Sequence, residues 1–314
     1  IIRSVSKITP EQLLEGYRRR DELGEMAKTL PRWKAGQPIE VLQGPVEQCL
    51  ERMAEYYRGH GCGMFARYRA FVWRERKMEP VAYPDPIELR SLKGYEIPRS
   101  LVEDNTVAFL EGLSCNNCLL YGDRGTGKSS TVKALLNAYY PKGLRMVEMP
   151  KERLCDFPQL VDQIAALPLR FIIFIDDLSF SQQDDTFAAL KAVLEGGLAA
   201  RPENALIYAT SNRRHLLREC FSDREGDEIH RSDTIQESLS LADRFGLSVN
   251  FSVPDKSAFL DIVHALAKER KLVIAEDELE SGAERWALER GGRSPRCARQ
   301  YIAMIESRMK RGLL

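Results

Sequence analysis

The chain has 314 residues, 44% hydrophobic and 29% charged, enough apolar material for one large domain or two to three modest ones. Lys+Arg and Asp+Glu both number 46, so no global field draws the chain to nucleic acid or to a membrane surface. No run approaches the 18 or so apolar residues of a membrane-spanning helix, which excludes that class.

Residues 1–80 are expected to form a mostly helical N-terminal domain. Ile1-Ile-Arg-Ser has no charged-then-apolar leader pattern, and the seven cysteines are odd in number and scattered. Both features fit reduced thiols and a cytoplasmic location. Pro10-Glu-Gln-Leu-Leu can open a helix, and Val46, Leu50, Met53, Ala54 and Tyr57 share one helical face. Arg67 to Lys77 mixes basic residues with Tyr68, Phe71 and Trp73. It reads as an amphipathic helix with a solvated basic face, and weakly as a stacking surface for nucleic acid. Residues 81–98 form a proline-containing connector.

The core is expected over residues 92–253. Apolar runs at Cys118–Tyr121, Arg145–Met149, Arg170–Ile175, Ala205–Thr210 and Leu247–Val253 alternate with helical segments. Such alternation predicts an α/β fold with a five-stranded parallel sheet covered on both faces. Residues 255–314 carry three helical patterns, read as a helical lid. Cys115-Asn-Asn-Cys118 lacks the second pair a zinc site needs and is read as packing.

Gly122-Asp123-Arg124-Gly125-Thr126-Gly127-Lys128-Ser129 fits the phosphate-cradling pattern G-x-x-x-x-G-K-[ST], followed by Ser130. Glycines let the backbone turn its N–H groups toward phosphates. Lys128 supplies charge at the β/γ-phosphates, and Ser129 supplies a hydroxyl for Mg²⁺. The loop lies between an expected strand and an expected helix, the context the motif requires. Phe171-Ile-Ile-Phe-Ile-Asp176-Asp177 is a buried strand ending in two carboxylates. Asp176 is expected to hold Mg²⁺ and Asp177 to orient or deprotonate water. Asn212 ends the next strand and can reach the water or the γ-phosphate. Asp243-Arg244-Phe245-Gly246 precedes the last strand. Arg244 is a candidate finger for a neighbouring subunit's site, with Arg213 or Arg214 as alternatives. Arg296 opens the third lid helix and can touch nucleotide in cis. Arg293 and Arg299 read as surface arginines, and Ser222 to Asp233 as a charged insertion.

In this order the motifs G-D-R-G-T-G-K-S, F-I-I-F-I-D-D, A-T-S-N, D-R-F-G and S-P-R resemble the AAA+ ATPases over residues 92–314. The Asp-Asp pair resembles the initiator and helicase-loader branch. A-T-S-N-R-R-H-L with S-L-A-D-R-F-G-L is similar to an uncharacterised family of bacterial stand-alone AAA+ ATPases. The resemblance implies a P-loop core, a helical lid, ATP with Mg²⁺, and a homo-oligomeric ring or spiral. It also implies that Lys93 to Ile97 lie near the adenine. Asp177 departs from the usual Glu, being one methylene shorter. The implied activity is ATP hydrolysis driving remodelling or loading of a macromolecule, with a protein partner to be identified. The alternatives are a slow-hydrolysing nucleotide-gated module and a DNA-associated initiator or loader.

Overall fold

In the computed structural model the described residues are 45–179, 185–195, 202–212 and 244–313. The helix expected at Pro10, the insertion at Ser222 to Asp233, Arg213, Arg214 and Asp243 lie outside them. The chain divides into two units, Ile1–Glu55 and Tyr56–Leu314. The described part of the first is the start of helix α1 (Val46–His60). No described helix is long and apolar enough to cross a membrane.

The second unit carries α2 (Met64–Arg67), β1 (Ala70–Arg74), β2 (Lys77–Pro80), α3 (Glu96–Leu110), β3 (Asn117–Gly122) and α4 (Lys128–Tyr139). These are followed by β4 (Leu144–Glu148), α5 (Phe157–Ile164), β5 (Arg170–Ile175), α6 (Asp185–Glu195), β6 (Ala205–Ser211) and β7 (Gly246–Phe251). The lid is α7 (Lys256–Glu269), α8 (Glu276–Glu289) and α9 (Pro295–Lys310). All five expected strands form, paired in parallel. Among the described residues the sheet nevertheless has seven strands, in the order β2-β1-β4-β5-β6-β3-β7.

The two extra strands correct the helix expected over Arg67 to Lys77. β1 pairs in parallel with β4, and β2 returns antiparallel on its outer edge. Arg74 opposes Lys77, so Glu75 and Arg76 alone form the turn, both at positive φ. That is a two-residue hairpin of the kind usually carried by Asn-Gly. Period-two alternation turns Phe71 and Trp73 inward, and both are buried. They offer no stacking face; of the three aromatic residues in this stretch, Tyr68 alone is half-exposed. The connector is also shorter than expected: α3 begins at Glu96 and takes Pro98 into its first turn.

Alternation also divides the core. Phe71, Trp73, Leu119, Ile173 and Ile207 pack on one face of the sheet. Cys118, Leu120, Ile172 and Tyr208 pack on the other, against Val132 and Leu135 of α4. Burial pushes the Cys118 thiol pKa up, in keeping with a packing role. The lid has its own core, including Phe259, Val263, Ala283 and Ile302. Polar side chains tie down the hairpin and the segment that leads into it. Trp73 Nε1 donates to Asp156 Oδ2 at 3.2 Å. Arg145, on β4, donates to the carbonyls of His60, Phe65, Tyr140 and Leu144.

If the hairpin is part of the core, Trp73→Ala should lower unfolding free energy by about 3–5 kcal/mol, the cost of a large buried cavity. Urea unfolding followed by circular dichroism measures this. A loss below ~1 kcal/mol would mean that β1 and β2 only decorate the sheet.

Candidate functional site

Ligands of open parallel sheets bind beyond the carboxyl ends of the strands. At those ends β3 turns through residues 123–127 into α4, β5 leads into Asp176 and Asp177, and β6 leads into Asn212. A cleft of about 390 Å³ opens there. Its lining includes Lys128, Ser129, Asp176, Asp177, Asn212 and Arg296. The expected site residues of three strands and the lid therefore meet in one place.

The loop's shape follows from its glycines. Gly122 has φ 126°, and a Cβ there would stand 2.4 Å from the Phe251 carbonyl oxygen. Only glycine lets β3 pass so close to the end of β7. The Asp123 N–H then donates to Phe251 O at 3.0 Å, and the Asp123 carboxylate accepts the Val253 N–H at 2.8 Å. Thr126 Oγ1 donates back to Asp123 O at 2.8 Å. Gly127 stands at the N-cap of α4. The first turn of that helix presents N–H groups to the cleft, a natural place for an anion.

Lys128 is almost fully buried, yet it reaches the loop interior. Its Nζ donates to Gly122 O at 2.9 Å, Asp123 O at 2.6 Å and Asn212 Oδ1 at 3.3 Å. Burial lowers its pKa, opposed by the carboxylates of Asp123, Asp177 and Asp176. An incoming phosphate would stabilise the ammonium further. Ser129 Oγ donates to Asp176 Oδ1 at 2.7 Å. A hydroxyl and a carboxylate oxygen this close form a hard oxygen donor set. It suits Mg²⁺, which takes one or two protein oxygens and fills the rest with water and phosphate.

Asp177 adopts φ 52°, a left-handed conformation that a non-glycine residue holds only when its surroundings enforce it. Thr210 is part of that enforcement, and sequence reasoning gave it no role. The Asp177 N–H donates to Thr210 Oγ1 at 3.0 Å, and Thr210 Oγ1 donates to Asp176 Oδ1 at 2.5 Å. Asn212 Nδ2 donates to Asp177 Oδ1 at 2.6 Å. Asn212 thus touches both Lys128 and Asp177. The signal for Thr210 was present: on a strand, residues 210 and 212 face the same way.

The lid closes one side. The Arg296 N–H donates to Gly125 O at 3.1 Å, while Ser294 caps α9 by accepting the Cys297 N–H at 3.2 Å. Arg293 is bound to Glu284 through two hydrogen bonds and stays outside the cleft. A second, narrower cleft lies alongside, lined by Lys93, Gly94 and Tyr95 and by Ile262, Leu266 and Arg299 of the lid. Tyr95 stacks on Phe251 with ring centres 5.4 Å apart. Its hydroxyl donates to Ser252 O at 2.6 Å, and burial raises its pKa. Ile97 is exposed and does not line this cleft.

Arg244 is not brought to the cleft. β7 runs parallel to β3, with Gly246 opposite Asn117 and Phe251 opposite Gly122. Arg244 therefore precedes the amino end of β7. At ~3.3 Å per residue it lies roughly 20 Å from the phosphate loop of its own chain.

The family described as "Protein of unknown function (DUF815)" matches residues 66–309. The chain belongs to this family. No curated protein matches it. Among solved structures, AMPPCP-bound DnaA from Aquifex aeolicus is 19% identical, with a TM-score of 0.50, over 74% of this chain and 68% of that one. A mutant of RuvB from Thermotoga maritima is 14% identical, with a TM-score of 0.49, over 73% of this chain and 67% of that one. The chain thus spans about two thirds of the length of these structures. At such identities the likeness concerns the fold alone, which this DUF815 chain shares with DnaA.

Thr210→Val keeps the shape but removes both hydroxyl bonds, whereas Thr210→Ser keeps them. If the hydroxyl holds the carboxylate pair, the Val variant should lose about 1–3 kcal/mol of stability and the Ser variant little. Equal chemical denaturation midpoints for the two would show that the hydroxyl carries no such load.

Proposed function

We propose that this chain binds ATP with Mg²⁺ and hydrolyses it to ADP and phosphate, using the cycle to remodel or load a macromolecular partner. The observation that carries the reading is the meeting of Lys128, Ser129, Asp176, Asp177 and Asn212 around one cleft at the carboxyl ends of β3, β5 and β6. Loop N–H groups and Lys128 would hold the β- and γ-phosphates. Ser129 and Asp176 would hold Mg²⁺, which neutralises charge on those phosphates when bound. Asp177 would take a proton from the attacking water as its oxygen bonds the γ-phosphorus and the bridging P–O bond breaks. Asn212, already bonded to Asp177 and Lys128, would orient that water. Arg296 would meet the phosphates from the lid.

Arg244 fits action on a neighbouring copy, because it stands at the wrong end of the sheet to reach its own cleft. That supports a homo-oligomer in which each site is completed by the next subunit. A slower, switch-like variant of the same chemistry is favoured by one feature. Asn212 already occupies one Asp177 oxygen, and Asp is a methylene shorter than Glu. A site of this kind would bind ATP and wait for a partner before turning over.

Lys128→Ala should weaken ATP binding about tenfold or more, read by calorimetry; wild-type affinity would overturn the loop assignment. Asp177→Asn should keep ATP binding while lowering phosphate release roughly 100-fold. Unchanged turnover would mean that another group activates the water. Arg244→Ala alone should lose turnover and regain it when mixed with Lys128→Ala, because each variant supplies what the other lacks. Absence of that recovery would place the finger elsewhere, with Arg213 and Arg214 next to test.

A further inference from the structure

Arg299 lines both clefts, whereas Arg296 lines only the phosphate cleft. The two arginines are one helical turn apart on α9. Arg299 is half-buried. Among the described residues its side chain makes no hydrogen bond and no ion pair, and the Arg296 side chain makes none either. A half-buried cation beside the exposed Arg296, with no carboxylate in hydrogen-bond or ion-pair contact, is costly. Burial and the Arg296 charge lower the Arg299 pKa, partly offset by Asp85. By contrast Arg99, which also lines the narrow cleft, donates to the carbonyls of Leu89, Leu92 and Tyr95. Arg99 is spent on structure, and Arg299 is not.

We infer that the narrow cleft lined by Lys93 to Tyr95 takes the adenine base, and that Arg299 is a nucleotide-binding residue whose guanidinium takes the α-phosphate where that base cleft and the phosphate cleft meet. This rests on the nucleotide reading above. The position decides which phosphate is bound. A group between the two clefts meets the part of the ligand that joins base to phosphate tail, and that part is shared by ADP and ATP. A planar guanidinium suits it, since its fork can bind two phosphate oxygens at once.

The test compares Arg299→Ala and Arg299→Lys with wild type, by calorimetry with ADP and with ATP and by thermal melting with and without nucleotide. Arg299→Ala should weaken ADP and ATP by a common factor of about 10–100, as expected for a lost charge-assisted contact. Its melting temperature without nucleotide should not fall, because no internal bond is broken. Its nucleotide-induced rise in melting temperature should shrink. Arg299→Lys should recover part of the affinity. A lower melting temperature without nucleotide and unchanged affinities would overturn the inference in favour of a structural arginine. Loss confined to ATP would overturn the α-phosphate position. Wild-type protein that binds neither nucleotide would overturn the nucleotide reading itself, and this inference with it.

Discussion

The site depends on one close approach, that of the end of β3 to the end of β7. Gly122 passes the Phe251 carbonyl where no side chain would fit. The next residue is then fixed to β7 from both directions, its N–H donating to Phe251 and its carboxylate accepting from Val253. The loop's entry is held there and its exit by the start of α4, and Lys128 turns inward to the Gly122 and Asp123 carbonyls. The other carboxylates and the Asn212 amide come to it because β6 pairs in parallel with β3 and β5 in parallel with β6. Parallel pairing collects the strand ends on one side, and a ligand placed there meets several chain segments at once.

Much of this was legible in the sequence because buried parallel strands read as continuous apolar runs. The five core strands and their polar ends could be placed from such runs and their spacing. The hairpin of β1 and β2 could not. Its turn is Glu75-Arg76, which carries no Asn-Gly signal, and basic residues crowd the stretch so that it reads as a helix face. Phe71 and Trp73 do alternate, but two inward residues are too few to outweigh a helical reading. Thr210 and Arg299 were missed for a different reason. Thr210 stands inside the A-T-S-N run and Arg299 just past S-P-R, but the part each plays depends on what stands across the cleft.

The charge distribution has the same character. The chain as a whole is balanced, yet the phosphate cleft is lined by Arg124, Lys128, Arg296 and Arg299 against Asp176 and Asp177. Basic side chains outnumber acidic ones in a concave, partly buried site, where fields are focused rather than screened. Composition alone hides such a feature, because the compensating acids lie elsewhere. The lid supplies two of the four cations, so the cleft's excess of positive charge depends on the lid.

The bond from the Arg296 N–H to the Gly125 carbonyl joins the lid's last helix to the middle of the phosphate loop. This amide belongs to the first turn of α9, where backbone protons have no partner within the helix. Its protection from exchange with heavy water therefore comes from the loop across the gap, and not from the helix it belongs to. Were the two parts to separate, that proton would be released while the interior of α9 stayed protected. A single amide in the first turn of α9 would thus report any parting of lid and loop, on the timescale at which exchange reports local opening.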